Sequence, residues 1–340
     1  MAVDSNTNET YDNKVIREDL QEAYTMISPE ETPFITSIRS EVASNTLFEW
    51  PVVELAAVDY ANREKEGEDA PSTNAPNNAL RLSNYTQISD KKVKVSHTSQ
   101  AVDAAANNVQ RLSEQIVLKL KELKRDMEGM LTDNVAAAAG SSGNARSSAG
   151  LVAFLRTNTV FETGGVDPTL SGTTEGYPDA AATASSESTA GASVVFAEAD
   201  LNQIIEDIWN EGGAPSIIMC NSGNKRRISQ AFTGNATRYK DAVDKKLVNS
   251  IDFYDSDFGE LTVVPNRFLR TANPGGNADA YNVFVLDPEY AAVAYLDPVQ
   301  QKPLAETGHS TSRLVWAEYG LQIDNEKAHG IIRDTTNAIA

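Results

Sequence analysis

Cysteine is nearly absent: Cys220 stands alone in 340 residues. This excludes an intrachain disulfide and any zinc site built on several thiolates. At the end of the apolar run SIIMC it reads as a small buried hydrophobe, because a nucleophilic thiol needs an activating base that no neighbouring residue supplies. One cysteine also fits synthesis in a reducing compartment. Histidine is almost as scarce, with His97, His309 and His329 in three separate polar strand or turn contexts that read as surface or interface positions. Positive charge is in deficit, 29 Lys and Arg against 48 Asp and Glu, and the resulting −19 argues against a broad basic face for tight nucleic-acid binding. No run approaches the roughly 18 apolar residues of a membrane span, and MAVDSNTNETYDN lacks the basic flank and apolar core of a secretion signal. The expectation is a soluble chain without a membrane partner.

The standard chemical signatures are missing too. No G-x-x-x-x-G-K-[ST] phosphate loop, G-x-G-x-x-G turn, H-E-x-x-H helix or G-x-S-x-G elbow occurs. No catalytic residue, cofactor-binding residue or metal ligand is therefore assigned, and the expectation is a protein that is not an enzyme and carries no cofactor. The acidic run DFYDSDFGE (Asp252, Asp255, Asp257, Glu260) lacks the ligand spacing of a calcium loop and reads as a solvated turn. No fixed-period repeat appears, which argues against a solenoid or propeller.

What the chain does contain is one long amphipathic stretch, Ser99 to Ala139. Val102, Ala105, Val109, Leu112, Ile116, Leu120, Leu123, Met127, Met130 and Val135 recur in steps of three and four, or close to it, as on one helix face. Roughly 35 residues at about 1.5 Å each give a helix of about 50 Å, long enough to serve several packing partners. Lys119 with Glu122, and Lys124 with Glu128, read as ion pairs on its outer face.

Before it, Met1–Asn13 is polar, Lys14–Met26 has helical spacing, and SPEETPFITSIRS mixes prolines with Phe34, Ile35 and Ile38 that no local element buries. This is an arm whose partners lie elsewhere. Thr46–Val58 is rich in β-formers, with Pro51 marking an edge strand, and Asp59–Asn78 is a solvated excursion. The return through Ala79–Ser89 and Lys91–Thr98, where Val93 and Val95 alternate with lysines, completes a two-stranded hairpin. An isolated ribbon is marginal in water, which places this one on a neighbouring subunit.

After the helix come a flexible break (GSSGNARSSAG), the apolar patch Leu151–Leu155 and an exposed Gly/Ser/Thr/Ala-rich loop, Gly164–Ser193. Phe196–Asn210 reads as a helix burying Leu201, Ile204, Ile205, Ile208 and Trp209, closed by Gly212-Gly213. SIIMCN suits a buried strand, SGNKRRISQAF a loop opening a helix, and Leu261–Val264 and Tyr281–Leu286 further strands. The chain ends in strands centred on Leu314, Trp316 and Tyr319–Ile323, an α+β pattern. Lys225, Arg226 and Arg227 are the sharpest basic spot, and contact with another subunit is the reading taken for them over phosphate binding or plain solvation. Lys65, near the excursion tip, is a further inter-subunit candidate, since a lysine amine attacks an asparagine amide beside a carboxylate in one kind of self-crosslinking.

The order arm, hairpin excursion, long helix, α/β region and terminal strands resembles the Hong Kong 97-type major capsid proteins of tailed phages. The likeness is carried by NYTQISDKKVKVSHTSQAVDAAA (Asn84–Ala106), FYDSDFGELTVVPNRFL (Phe253–Leu269), VFVLDPEYAAVAYL (Val283–Leu296) and ETGHSTSRLVWAEYGLQIDNEKAHGII (Glu306–Ile332), and extends from about Leu20 onward. The resemblance implies an α+β capsid fold with an N-terminal arm at 1–45 and an E-loop at 46–98. It further implies a P-domain from 99–160 and 299–340 with a spine helix at about 99–139, a flexible loop at 161–194, and an A-domain at 195–298. It implies hexamers and pentamers of the chain in an icosahedral head, weak non-specific contact with packaged double-stranded DNA, and virion location after synthesis in the host cytoplasm. Scaffold, portal and decoration proteins are further partners of such shells. Phe34, Trp50 and Val52 would then be covered by a neighbour, and Val109, Leu112, Ile116, Leu120 and Leu123 would pack near Leu314, Trp316 and Leu321. The same fold builds encapsulin compartments around protein cargo, the alternative function. A soluble enzyme with an unmotifed site, and another virion component, are the remaining rivals.

Overall fold

Alternating and continuous apolar runs become three sheets. In the computed structural model the described residues are 28–53, 55–67, 69, 76–77, 79–102, 111–170, 181–183, 186–232, 252–269, 280–306 and 308–336. They form α1 (Pro33–Ser37), β1 (Arg39–Val42), β2 (Leu47–Val52), β3 (Leu80–Tyr85), β4 (Gln87–Ser96), α2 (His97–Ala101), α3 (Leu112–Leu131), α4 (Leu151–Phe154), β5 (Thr159–Val160) and β6 (Ala181–Thr183). Then follow α5 (Glu198–Asn210), β7 (Ile217–Cys220), α6 (Ser222–Arg227), β8 (Phe253–Ser256), β9 (Gly259–Pro265), β10 (Ala280–Leu286), β11 (Ala291–Pro303), β12 (Ser310–Ile323) and β13 (Gly330–Thr336). A π-turn, Ile228–Phe232, continues α6.

The chain divides into two units, and the larger comprises Glu30–Asp90, Glu122–Gln300 and Trp316–Ala340. Its mixed six-stranded sheet runs β5-β13-β10-β7-β9-β8. β7 and β9 are parallel, while β10 is antiparallel to both β7 and β13. The central strands carry continuous apolar runs, as burial on both faces requires. On them α5 packs Leu201, Ile204, Ile205 and Ile208, joining Ile218, Val283, Val285 and Ile332 in one core cluster. Asp200 reaches back to the Ala197 N–H (3.0 Å) at the start of this helix, and Gly212 ends it at φ +94°. Trp209, expected on the buried side, is 55% exposed: it lies one residue beyond the stripe, about 100° around the helix from Ile208.

β13 is central to this sheet, so residues 330–336 pair with strands of the region expected as the A-domain, across the expected boundary at 299. A second sheet orders β1-β11-β12-β4, with β1 adding in parallel from Arg39↔Ala292 to Val42↔Tyr295. Along β12, Val315, Ala317, Tyr319, Leu321 and Ile323 are all fully buried. Leu314 and Trp316 are therefore on the opposite face from Leu321, and the packing surface expected from those three together does not exist, since strand neighbours alternate sides.

The third sheet is β2-β3-β6. β2 and β3 form the expected hairpin, paired from Leu47↔Tyr85 to Val52↔Leu80, with Pro51 on an edge strand. The hairpin ends at Tyr85, because β4 departs into the second sheet. The Gly/Ser/Thr-rich stretch is built in where it is described. β6 pairs in parallel with β3, Leu170 is fully buried, and Asn134 and Ser188 exchange hydrogen bonds of 2.7 and 3.0 Å. Its expectation as an exposed loop is corrected at these positions, while residues 171–180 and 184–185 lie outside the described ones.

The expected helix over 99–139 is shorter at both ends. α2 stops at Ala101 with Val102 extended, residues 103–110 lie outside the described ones, and α3 ends at Leu131. Beyond it Ala138 pairs with Ser147 and Ser141 with Asn144 in a small hairpin that turns at Ser142-Gly143, with Gly140 at φ +73° on the way in. The alanine preference for helix, a few tenths of a kcal/mol per residue, loses to these pairings and to the Asn134 anchor. Within the larger unit α3 buries Leu123, Glu128, Met127 and Leu131.

The smaller unit comprises Met1–Pro29, Lys91–Lys121 and Gln301–Val315. It holds the buried Val93 between exposed Lys92 and Lys94, as the alternation requires, and α2, capped by Ser96 Oγ on the Ser99 N–H (3.1 Å). Leu112, Ile116 and Leu120 on α3 are only partly buried.

Candidate functional site

The most elaborate polar junction lies where the arm meets the long helix. α1 begins with Pro33 and its N-cap Thr32 offers no side-chain bond, leaving its first N–H groups to find an acceptor. Glu128 supplies it from 94 positions away: its carboxylate accepts from Phe34 N (2.7 Å), Ile35 N (2.9 Å) and Asn266 Nδ2 (2.7 Å). Asn266, just after β9, also donates its N–H to Cys220 O (2.8 Å) and accepts from Phe268 N (2.9 Å). One buried carboxylate thus ties the arm, α3 and the end of β9 together. Burial pushes the Glu128 carboxyl above its ordinary range against the pull of its three donors. The expected outward ion pair of Lys124 with Glu128 is corrected: spacing along a helix does not reveal which face an inserted arm will cover.

The hairpin has its seat within its own chain. Trp50 donates Nε1–H to Ile323 O (2.9 Å) and stacks on Phe48 at 5.7 Å. Asn84 donates to Leu321 O (2.7 Å) and accepts from Ala149 N (2.9 Å). Gly320 lets the Phe48 ring and Tyr85 O come so close that an added Cβ would lie 2.6 and 3.0 Å from them. Phe34, Trp50 and Val52 are all buried, at 0, 6 and 7% exposure, so the expectation that they have no local core is corrected. The apolar exposure lies further out, at Leu55 (82%), Val58 (73%) and Tyr60 (94%), with Lys65 exposed on the same excursion.

The basic spot is split. Lys225 Nζ donates to Asp252 Oδ1 (3.2 Å) and Val263 O (3.1 Å), Arg227 Nε donates to Phe196 O, and Arg226 is exposed. The histidines are also redistributed. His97 and His309 meet edge-on, rings 4.9 Å apart, correcting their expected separation. His329 is fully buried, accepting at Nδ1 from Asp287 N (3.2 Å), and burial drives its pKa down to about 4. Cys220 is buried with its thiol pushed up to about 12, an unreactive state. Glu326, buried too, accepts from Arg156 N and Thr157 N at 3.0 and 3.1 Å. Arg333 lies 4.1 Å over the Phe161 ring while donating to Val166 O and Asp167 Oδ1, each at 2.9 Å. Among the described residues no three His, Cys, Asp or Glu side chains converge as metal ligands. These groups bind the chain to itself, and short sequence motifs signal none of the long-range pairings.

The family model described as "SU10 major capsid protein" matches residues 4–336. The major capsid protein of Escherichia phage Phieco32 is 25% identical over 341 residues, covering 93% of each chain. Among solved structures, the capsid of a native GTA particle superposes with a TM-score of 0.59 at 12% identity, covering 96% of this chain and 98% of that one. The holo-SrpI encapsulin of Synechococcus elongatus PCC 7942 gives 0.55 at 10% identity, covering 98% and 97%. The fold is the Hong Kong 97-type α+β fold shared by phage capsids and encapsulins.

Proposed function

Since the chain belongs to the SU10 major capsid protein family, we propose that its copies assemble as hexamers and pentamers into an icosahedral phage head that encloses double-stranded DNA. Its role as a virion capsid component follows from the family; the capsomer arrangement, the DNA and any scaffold, portal or decoration partners are the proposal. The supporting observation is the excursion beyond Val52. Its hairpin root is locked onto β12, yet Leu55, Val58 and Tyr60 stand in water at 73 to 94% exposure. Apolar side chains left exposed where the chain runs out from a firmly seated hairpin are the mark of an interface covered on assembly. We assign the arm to residues 1–45, the E-loop to 46–98, the P-domain to 99–160 with 299–340 and the A-domain to 195–298, with β13 of the P-domain range pairing in the sheet that holds the A-domain strands β7 to β10.

A shell of many repeated, moderate interfaces is stable without any one being strong. The net charge of −19 suits a container whose wall holds packaged DNA only loosely. The family match favours a genome over the protein cargo of an encapsulin. The test is a pair of variants and a nuclease digestion. Leu55→Asp with Tyr60→Asp is expected to leave a folded chain that forms no particles, and wild-type particles from the source virion are expected to protect DNA from nuclease. Normal particles from the double variant, or a single protected protein cargo in place of DNA, would overturn the reading.

A further inference from the structure

We infer that the crevice at the carboxyl ends of β7 and β9 binds a phosphate group. The two strands are adjacent and parallel, from Ile217↔Thr262 to Cys220↔Pro265. Where parallel neighbours end together, the loops that follow them diverge and leave an opening, the usual ligand position in open sheets of this kind. Here the chain leaving β7 brings Ser222, Lys225, Arg226 and Ser229, and the chain leaving β9 brings Pro265 and Arg267, around a cavity of about 350 Å³. Three cations and two hydroxyls line it, with no carboxylate among the lining residues, in a chain whose net charge is −19.

The cations differ in role. Lys225 is fixed at the wall by Val263 O and by Asp252, whose own side chain is 70% exposed. Arg226 and Arg267 are exposed and form no ion pair among the described residues, so their planar forks are available to a multidentate oxyanion. The remaining lining residue, Asn266, has its amide committed to Glu128 and to the Phe268 N–H, and it holds the wall in place. A tetrahedral phosphate offers enough acceptor oxygens for guanidinium donors from both loops and a hydroxyl from one, whereas a carboxylate has two. The same chemistry is presented by inorganic phosphate, a nucleotide and a nucleic-acid backbone.

Calorimetric titration of the full chain at low salt, first with inorganic phosphate and then with a short DNA duplex, tests this directly. Arg226→Gln and Arg267→Gln are each expected to weaken phosphate binding about fivefold or more. Arg63→Gln, on the excursion and not among the residues that line the crevice, is expected to bind as wild type does. Matching loss of duplex affinity in the two variants assigns the phosphate to a nucleic-acid backbone. Loss of phosphate binding with duplex binding unchanged assigns it to a free phosphate or nucleotide. A wild type that does not bind phosphate, or three variants that bind alike, would overturn the inference. Both arginines are exposed, so circular dichroism is expected to show intact variants. Particle formation is scored separately by microscopy, and its failure leaves the titration readable.

Discussion

Acid should loosen this chain at one identifiable residue, His329. The ring is fully buried and held as the neutral tautomer by geometry: Nδ1 accepts the Asp287 N–H at 3.2 Å, and Nε2 faces Tyr290 O at 3.5 Å. A proton on Nδ1 would face another N–H and leave a charge without solvent. Burial accordingly lowers the pKa from 6.5 to about 4. Between those two values the unfolded chain binds the proton and the folded chain does not. Stability from this site is therefore complete above the unfolded pKa and is lost as pH falls toward the folded one. Going from about pH 7.5 to about pH 4.5, the linkage relation gives a loss of about 2–3 kcal/mol from this residue. The many carboxylates titrate in the same window, so the measurement is a difference. His329→Gln places Oε1 where Nδ1 accepts and Nε2 where the ring donates, but does not titrate. Urea unfolding midpoints of wild type and variant, followed across that pH range, are expected to converge in acid as the wild type loses more. Parallel profiles would refute the assignment of a buried neutral imidazole.

Glu128→Ala removes an acceptor from two arm N–H groups and Asn266, and is expected to cost about 3–5 kcal/mol by denaturant unfolding and to open residues 33–37 to amide exchange; Glu128→Gln should cost less, about 1–3 kcal/mol, because one oxygen remains. Gly320→Ala forces Phe48 and Tyr85 away from β12 and is expected to cost about 1–3 kcal/mol, read as a lower thermal midpoint, with Gly320→Val worse. On α3, Leu123→Ala should cost about 2–5 kcal/mol while Ile116→Ala, at a partly buried site, costs clearly less in the isolated chain; equal losses would contradict the burial pattern. Arg333→Lys keeps the charge but loses the stacking on Phe161 and the forked donation to Val166 and Asp167, and should lower stability by about 1–3 kcal/mol.

Local pattern carried much of this fold. The α5 stripe apart from Trp209, the run SIIMC, the alternation at Val93 and the edge position implied by Pro51 all follow from periodicity and proline chemistry, and stand as read. The length of the long helix was not legible, because Ala136–Ala139 has helical preference and the bridges to Ser147 and Asn144 with the Asn134 anchor take it away. Glu128 shows the same limit more sharply. At helical spacing from Lys124 it looks like a solvated ion pair, and only the arm folding back from residue 34 makes it a buried cap. Phe34 and Trp50 were recognisable as needing cover, but sequence alone does not say whether that cover is the same chain or another copy. The crevice between β7 and β9 was half visible in Lys225-Arg226; Arg267, its third cation, joins only through strand pairing.

Electron cryo-microscopy of the purified protein tests most directly whether this chain is the repeating subunit of a closed shell. Closed icosahedral particles are expected, with five- and six-membered rings of the chain resolved and residues 53–60 against a neighbouring copy. A compact monomer at high concentration, or particles in which Leu55 and Tyr60 remain in solvent, would contradict it.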